Sequence, residues 1–95
     1  MPDEPLTPDV ARRFIRALVS AGRVRFSRHA LERIAAREID MADCLNVLRA
    51  GAVGSAEWVN GSWRYLVSTP RGYSVVVAFR GEQLLVVVTA LPGDR

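Results

Sequence analysis

Glu57-Trp58-Val59-Asn60-Gly61-Ser62-Trp63-Arg64 is the stretch that decides the fold of this 95-residue chain. Asparagine and glycine both tolerate positive φ angles, which a two-residue type I′ hairpin requires at its two central positions. A turn at Asn60-Gly61 sets three pairs of residues opposite each other: Val59 and Ser62, Trp58 and Trp63, and Glu57 and Arg64. The stretch therefore predicts an antiparallel hairpin in the second half of the chain.

Two more strands follow the hairpin. Trp63, Tyr65 and Val67 share one face of the strand that leaves the turn, and a loop at Thr69–Gly72 ends it. The next strands are predicted over Tyr73–Arg80 and Gln83–Ala90. Both contain runs that are apolar on both faces, which is typical of strands inside a sheet.

The first half of the chain has helical spacing instead. Thr7-Pro8-Asp9 combines an N-cap, a proline at the first helical position and an acid in the first turn, and Gly22 marks the end of that helix. Arg23–Phe26 alternates polar and apolar residues like a short edge strand. Ser27 and Asp40 are N-caps for two further helices, the first ending near residues 37–39 and the second closed by Gly51.

These elements predict one α+β domain over residues 1–95. N-terminal helices pack on a three- to four-stranded antiparallel sheet, with a short N-terminal edge strand beside it. Residues 1–6 and 91–95 are expected to be flexible ends.

Composition restricts the function classes. Thirteen basic residues, all of them arginine, against ten acidic ones give a net charge of +3, which permits nucleic-acid binding but is also common on ordinary small domains. No apolar run is long enough for a membrane span and no secretory signal is visible, so we expect a cytoplasmic protein. The single Cys44 and single His29 fall short of the usual set of metal ligands, so we expect no metal and no cofactor.

The stretch His29–Arg37 carries the chemistry that the sequence suggests. On a helix, His29, Arg33 and Arg37 stand four residues apart and lie along one strip, beside an apolar strip that faces the core. An imidazole moves protons near neutral pH, and a guanidinium suits phosphate oxygens. The alternative is that His29 packs at the start of a short helix while the arginines solvate its surface.

Two other features have the same ambiguity. Arg12, Arg13 and Arg16 lie opposite the apolar stripe of the first helix, where they either contact RNA or an acidic partner or form a solvated face, and a solvated face is the more common case. Trp58 and Trp63 either stack RNA bases or form a cross-strand aromatic pair packed on the helices.

The combined pattern resembles the domain of unknown function 4258 family over about residues 23–90. The most specific part is the run Ser-x-His-Ala-x-x-Arg-x-x-x-Arg, matched at Ser27, His29, Ala30, Arg33 and Arg37. That family is grouped with the RelE-like members of the barnase, EndoU, colicin and RelE ribonuclease fold, many of which are toxins of toxin–antitoxin pairs. The resemblance implies a RelE-like fold and a metal-independent endoribonuclease, the toxin of a type II module.

In such an enzyme the ribose 2′-hydroxyl attacks the adjacent phosphate. The resemblance implies that His29 is the general base or general acid and that Arg33 and Arg37 hold the phosphate. A second catalytic group would come from the sheet, and Arg64 is the best candidate because it faces away from Trp63 and Tyr65. The residues that would bind RNA are Arg28, Tyr65, Arg71, Tyr73, Arg80 and Thr89.

The partners that follow are RNA and a cognate antitoxin protein. The chain has one histidine and no lysine, whereas several related toxins use clusters of His, Lys or Glu, so catalysis itself stays open. The alternatives are a noncatalytic module that binds nucleic acid or protein on the same fold, and a small homodimer that pairs through an exposed strand edge.

Overall fold

The computed structural model describes residues 2–92 and contains three helices and six strands. The helices are α1 (Pro8–Ser20), α2 (Arg28–Ala35) and α3 (Met41–Ala50). The strands are β1 (Val24–Phe26), β2 (Ala52–Val53), β3 (Glu57–Val59), β4 (Ser62–Ser68), β5 (Ser74–Arg80) and β6 (Leu84–Leu91). The α+β class predicted from the sequence is confirmed.

The strands form one mixed sheet with the order β1-β6-β5-β4-β2, and β3 pairs with β4. Strands β4, β5 and β6 form the predicted antiparallel meander. Strand β1 lies at the edge, as predicted, but it pairs in parallel with β6, from Val24 opposite Leu85 to Phe26 opposite Val87. The sheet is therefore larger than the three to four antiparallel strands expected, and it is not purely antiparallel.

The hairpin at Asn60-Gly61 is confirmed. Both residues have positive φ, 49° and 83°, and the three predicted residue pairs between β3 and β4 are the observed ones. The rings of Trp58 and Trp63 lie edge to face with their centroids 5.2 Å apart. Trp63 packs against the core, whereas Trp58 is 59% exposed.

One sheet face packs against the helices. Its buried side chains come from β4, β5 and β6, and they meet Ile15 and Leu18 of α1 and Leu48 of α3 in a single core cluster. Leu6, in the segment expected to be flexible, is 4% exposed, and its N–H donates to the Tyr65 hydroxyl. Leu91, in the other segment expected to be flexible, is the last residue of β6 and pairs with Ser74, while Met1 and residues 93–95 lie outside the described residues.

Helix α1 ends as its glycine predicts. Gly22 has φ 71°, its N–H donates to the Val19 carbonyl, and the N–H of Arg23 donates to the Leu18 carbonyl. This is a Schellman motif, in which a left-handed residue follows the helix and the last carbonyls are satisfied. Thr7 occupies the N-cap position of α1, but its hydroxyl makes no capping hydrogen bond.

Helix α3 begins at the predicted N-cap, where the Asp40 carboxylate accepts a hydrogen bond from the Asp43 N–H at 3.0 Å. It ends at Gly51, which has no positive φ but lies against β4. A Cβ there would be 2.8 Å from Val67 Cγ1 and 2.9 Å from the Ser68 carbonyl oxygen. Glycine thus allows the chain to pass directly from α3 into β2. No helix within residues 2–92 has the length and apolarity to cross a membrane.

Candidate functional site

Ser27 connects the start of α2 to β6 through hydrogen bonds. Its hydroxyl accepts a hydrogen bond from the Ala30 N–H at 3.0 Å, which is the predicted N-cap, and donates to the Val88 carbonyl at 2.7 Å. Its own N–H donates to the Val87 carbonyl. The Ser27 side chain therefore caps α2 and satisfies an edge carbonyl of β6, while its backbone N–H continues the hydrogen bonds between β1 and β6.

The first turn of α2 contains an arginine and a histidine and no acid. This reverses the usual preference, since the N-terminus of a helix is the positive end of its dipole and favours acidic side chains. Helices α1 and α3 follow the rule, with Asp9 and Asp43 in their first turns. Helix α2 instead begins with Arg28 and His29, so its first turn has no acidic side chain to complement the positive end of the dipole.

His29 is exposed and makes no hydrogen bond or ion pair with any residue in the range 2–92. Its neighbour Ala30 is fully buried in the core cluster, which sets the imidazole on the outer side of the helix. Arg28 is also exposed and lies 3.6 Å from the Glu32 carboxylate. The imidazole of His29 is thus exposed and has no hydrogen-bond partner among the described residues.

Arg33 is held by three partners. Its Nε donates to Glu38 Oε1 at 3.2 Å, and its Nη1 donates to Thr89 Oγ1 at 3.0 Å and to the Ala90 carbonyl. Strand β1 has ended at this point, so Arg33 supplies the hydrogen bonds that a neighbouring strand would otherwise give to the edge of β6. The Arg33 side chain is 20% exposed, and its Nη2 makes no hydrogen bond within residues 2–92.

A β-bulge shapes the strand that Arg33 contacts. Val76 lies opposite Thr89 and Val77 lies opposite Val87, which leaves Val88 as an extra residue in β6. Bulges redirect side chains and recur beside functional sites. Here the bulge brings the Thr89 hydroxyl to Arg33, while Ser27 takes the carbonyl of the extra residue.

Helix α2 is shorter than predicted, and Arg37 does not continue its strip. The helix ends at Ala35, and Arg37 has φ 61° in a second Schellman motif: its N–H donates to the Ile34 carbonyl and the Glu38 N–H donates to the Arg33 carbonyl. The apolar contact that usually accompanies this motif is replaced by the Arg33–Glu38 ion pair. A left-handed arginine is unusual because its Cβ clashes with the following carbonyl.

Arg37 lines an open hollow of about 630 Å³ between the end of α2 and the start of α3. Its acidic residues are Glu38, Asp40 and Asp43, and the Tyr73 ring forms another part of the wall. Burial is the main reason that the pKa of Tyr73 is raised to about 12, and it also raises the pKa of the Cys44 thiol, 3.8 Å from that hydroxyl. Neither His29 nor Arg33 lines this hollow.

The remaining predicted residues divide between the core and the other sheet face. Tyr65 is fully buried, and its hydroxyl accepts from the Leu6 N–H and donates to Glu4 at 2.8 Å, so it contacts protein rather than solvent. Burial raises its pKa to about 12. Arg64 and Arg80 lie on the sheet face opposite the helices, and Arg71 lies in the exposed loop before β5.

The structure therefore brings Arg33, Thr89 and Ser27 together, and places His29 and Arg37 at the two ends of α2. Sequence reasoning missed Glu38, which orients Arg33. No sequence signal identified it, because the pair is five residues apart and forms only where the chain turns out of the helix. No group of three His, Cys, Asp or Glu side chains within residues 2–92 is arranged to hold a metal ion.

Comparison with known proteins gives one positive result. Neither the curated proteins nor the solved structures include a significant match to this chain. A family model does match, over residues 26–92, which is well over half of the chain and includes α2, α3 and the whole sheet except the first two residues of β1. The chain therefore belongs to the family described as Domain of unknown function (DUF4258).

Proposed function

We propose that this protein is a metal-independent endoribonuclease of the RelE-like type, the toxin of a type II toxin–antitoxin module, with RNA as its substrate. The observation that carries the proposal is the first turn of α2. It presents an uncommitted imidazole and a guanidinium at the positive end of a helix, where α1 and α3 carry acids. This combination favours a bound anion that a proton-transfer group can reach.

A phosphodiester at the start of α2 lies beside His29. In the proposed reaction the 2′-oxygen forms a bond to phosphorus, the bond from phosphorus to the 5′-oxygen breaks, and the proton lost by the 2′-hydroxyl is balanced by one delivered to the departing 5′-oxygen. His29 carries out one of these two proton transfers, and water carries out the other. The products are a 2′,3′-cyclic phosphate and a 5′-hydroxyl.

The two arginines of the motif have different roles in this proposal. Arg33 orients α2 against β6 through Nε and Nη1, and only its Nη2 is left for a phosphate oxygen. Arg37 is exposed and held by its backbone outside the helix, and its guanidinium has no hydrogen bond or ion pair with any residue in the range 2–92, so it can bind a second phosphate along the RNA.

The test is cleavage of a labelled RNA in the presence of EDTA. We expect cleavage that leaves 2′,3′-cyclic phosphate ends, its loss with His29→Ala, and no cleavage of a substrate with deoxyribose at the scissile position. His29 is exposed, so the variant should fold. Arg13→Ala, which removes an exposed arginine from α1, is the matched control and should retain activity. Full cleavage by His29→Ala would remove the proposed proton-transfer role.

A noncatalytic nucleic-acid-binding module is the second candidate. It is favoured by the isolation of His29: the chain has no other histidine, and no described residue hydrogen-bonds to the imidazole, so a second proton-transfer group is not provided beside it. This function predicts RNA binding that weakens as salt rises, without cleavage. Binding that does not change with salt would contradict this candidate, and equal binding by wild type and Arg37→Ala would contradict the phosphate role given to Arg37.

A further inference from the structure

The sheet has a second face that the helices do not cover. Because side chains alternate along a strand, the residues between the buried positions of β4, β5 and β6 point away from the helices. They are mostly aliphatic and half-buried or exposed, and the core cluster contains none of them: Leu66, Val76, Ala78, Leu84, Val86 and Val88. We call these six residues the open face.

Arginines border the open face on several sides. Arg25 lies between Val24 and Phe26, which pack on the core, so it points to the open face beside Val86. Arg64 lies at the opposite border on β4, with its Nε 3.4 Å from Ser62 Oγ on the same face. Arg80 lies opposite Leu84 at the end of β5. The open face is thus an aliphatic floor with a cationic rim of three arginines, and the acid Glu57, opposite Arg64 on β3, lies outside that rim.

The dimensions of this surface fit an α-helix. Arg25 and Arg64 are on strands that are three positions apart in the sheet, a separation of about 14 Å at about 4.8 Å per strand. A helix with its side chains is about 10–12 Å wide, so it fits between them along β5 and β6. Acidic side chains on both flanks of its apolar stripe would then meet arginines.

We propose that the open face binds an acidic amphipathic helix of a partner protein. A second copy of this chain is disfavoured as the occupant, because it would bring the same arginines against each other. RNA is disfavoured because the floor has no aromatic ring on which a base stacks. The aliphatic floor and the cationic rim together match a helix with leucines or isoleucines on one face and glutamates beside them. This inference does not depend on ribonuclease activity.

The experiment uses designed helical peptides of about 18 residues, which span about 27 Å. One peptide has a leucine stripe flanked by glutamates, and its control has lysines in place of the glutamates. Fluorescence anisotropy measures their affinity for the full chain, and amide chemical shifts locate the contact. We expect the glutamate peptide to bind at least about tenfold more tightly than the lysine peptide, with shifts at Val76 and Val86.

Two variants, each at a leucine of similar exposure, test whether the peptide binds to the open face. Leu66→Glu adds a negative charge to the open face and should weaken the glutamate peptide about tenfold or more. Leu31→Glu changes an equally exposed leucine of α2, 48% exposed against 41%, and should leave binding unchanged. Equal binding of the two peptides, equal loss in the two variants, or shifts confined to other surfaces would overturn the proposal.

Two further results would assign the open face to another occupant. Sedimentation that shows a wild-type dimer, converted to a monomer by Leu66→Glu, would make the face a self-association surface. Competition between oligouridylate and the glutamate peptide, lost in Leu66→Glu but not in Leu31→Glu, would make it an RNA surface. Either result overturns the assignment to an acidic helix, while the cleavage assay with His29→Ala is unaffected.

Discussion

The Nη1 atom of Arg33 lies 3.0 Å from the hydroxyl oxygen of Thr89, and through this contact α2 is fastened to the end of β6. The same nitrogen donates to the Ala90 carbonyl, and Glu38 holds Nε from the other side. An arginine that the motif assigns to a phosphate is thus also a structural part of the sheet edge. Its two roles are separable by measuring stability and activity on the same variants.

Arg33→Ala should destabilise the protein by about 2–3 kcal/mol, because it leaves the Ala90 carbonyl without its charged donor. Urea unfolding followed by circular dichroism measures the change in the free energy of unfolding. Arg28→Ala is the control: its side chain is 93% exposed, and its removal should change stability by less than about 0.5 kcal/mol. An unchanged unfolding midpoint for Arg33→Ala would show that the contacts to β6 contribute nothing.

Arg37→Gly should stabilise the protein by about 1 kcal/mol, since glycine adopts the left-handed conformation without the clash that an L side chain meets. The reciprocal control is Gly22→Ala at the same position of the other Schellman motif. It has φ 71° and open space around its Cα, so only the conformational cost should appear, a loss of about 1 kcal/mol.

Arg37→Ala separates the cost of the left-handed backbone from the contribution of the guanidinium to RNA binding. It removes the guanidinium but keeps a Cβ, so stability should be close to that of the wild type, whereas RNA affinity should fall as it does in Arg37→Gly. If Arg37→Gly were less stable than the wild type, the arginine side chain would be contributing a contact that outweighs the strain.

Gly51→Ala should destabilise the protein by about 1–3 kcal/mol through overpacking. The added Cβ would lie 2.7 Å from the Val47 carbonyl oxygen and 2.8 Å from Val67 Cγ1, so α3 and β4 would have to separate. Gly54→Ala is the matched control, because its nearest neighbour would be 3.8 Å away. Thermal unfolding should show a lowered midpoint for the first variant and little change for the second.

Stability should fall as pH rises from about 10 to about 12. Tyr65 and Tyr73 both have a raised pKa of about 12 in the folded protein, against an ordinary value of 10.0. The folded state therefore holds these protons more tightly than the unfolded state. The resulting stability is fully present below pH 10 and is lost as the pH passes through the folded pKa.

Unfolding in urea at a series of pH values measures this loss, and two variants identify its source. Tyr73→Phe removes one ionisable hydroxyl whose contacts are long, 3.4 Å to the Asp40 nitrogen and 3.8 Å to Cys44 Sγ, so it should reduce the alkaline loss at little cost near neutral pH. Tyr65→Phe should also reduce it, but with about 1–3 kcal/mol lost at neutral pH because the buried Leu6 N–H is left unsatisfied. If the free energy of unfolding of both variants fell with pH as steeply as that of the wild type, the alkaline loss of stability would not come from these tyrosines.

Local patterns accounted for most of the elements. Asn60-Gly61 identified the hairpin and its register, Ser27 and Asp40 identified two helix starts, and the apolar spacing of α1 identified its buried face. Each of these signals acts between residues that are close together in the chain. It can therefore be identified without knowing which distant segments meet in the fold. The resemblance to the family rested mainly on the motif around His29, and the family match over residues 26–92 confirms the family.

The sequence by itself determined the α+β class, the hairpin and the helix starts, whereas the exposure of the His29 imidazole was read from the structure. Only the tertiary structure decided that β1 pairs in parallel with β6, that Arg33 satisfies the Ala90 carbonyl, and that Arg37 leaves the helix in a left-handed conformation. The physical reason is distance along the chain. Contacts between residues 33 and 90, or between residues 25 and 86, depend on how distant segments of the chain meet. The end of α2 likewise depends on whether such contacts are more favourable than another turn of helix.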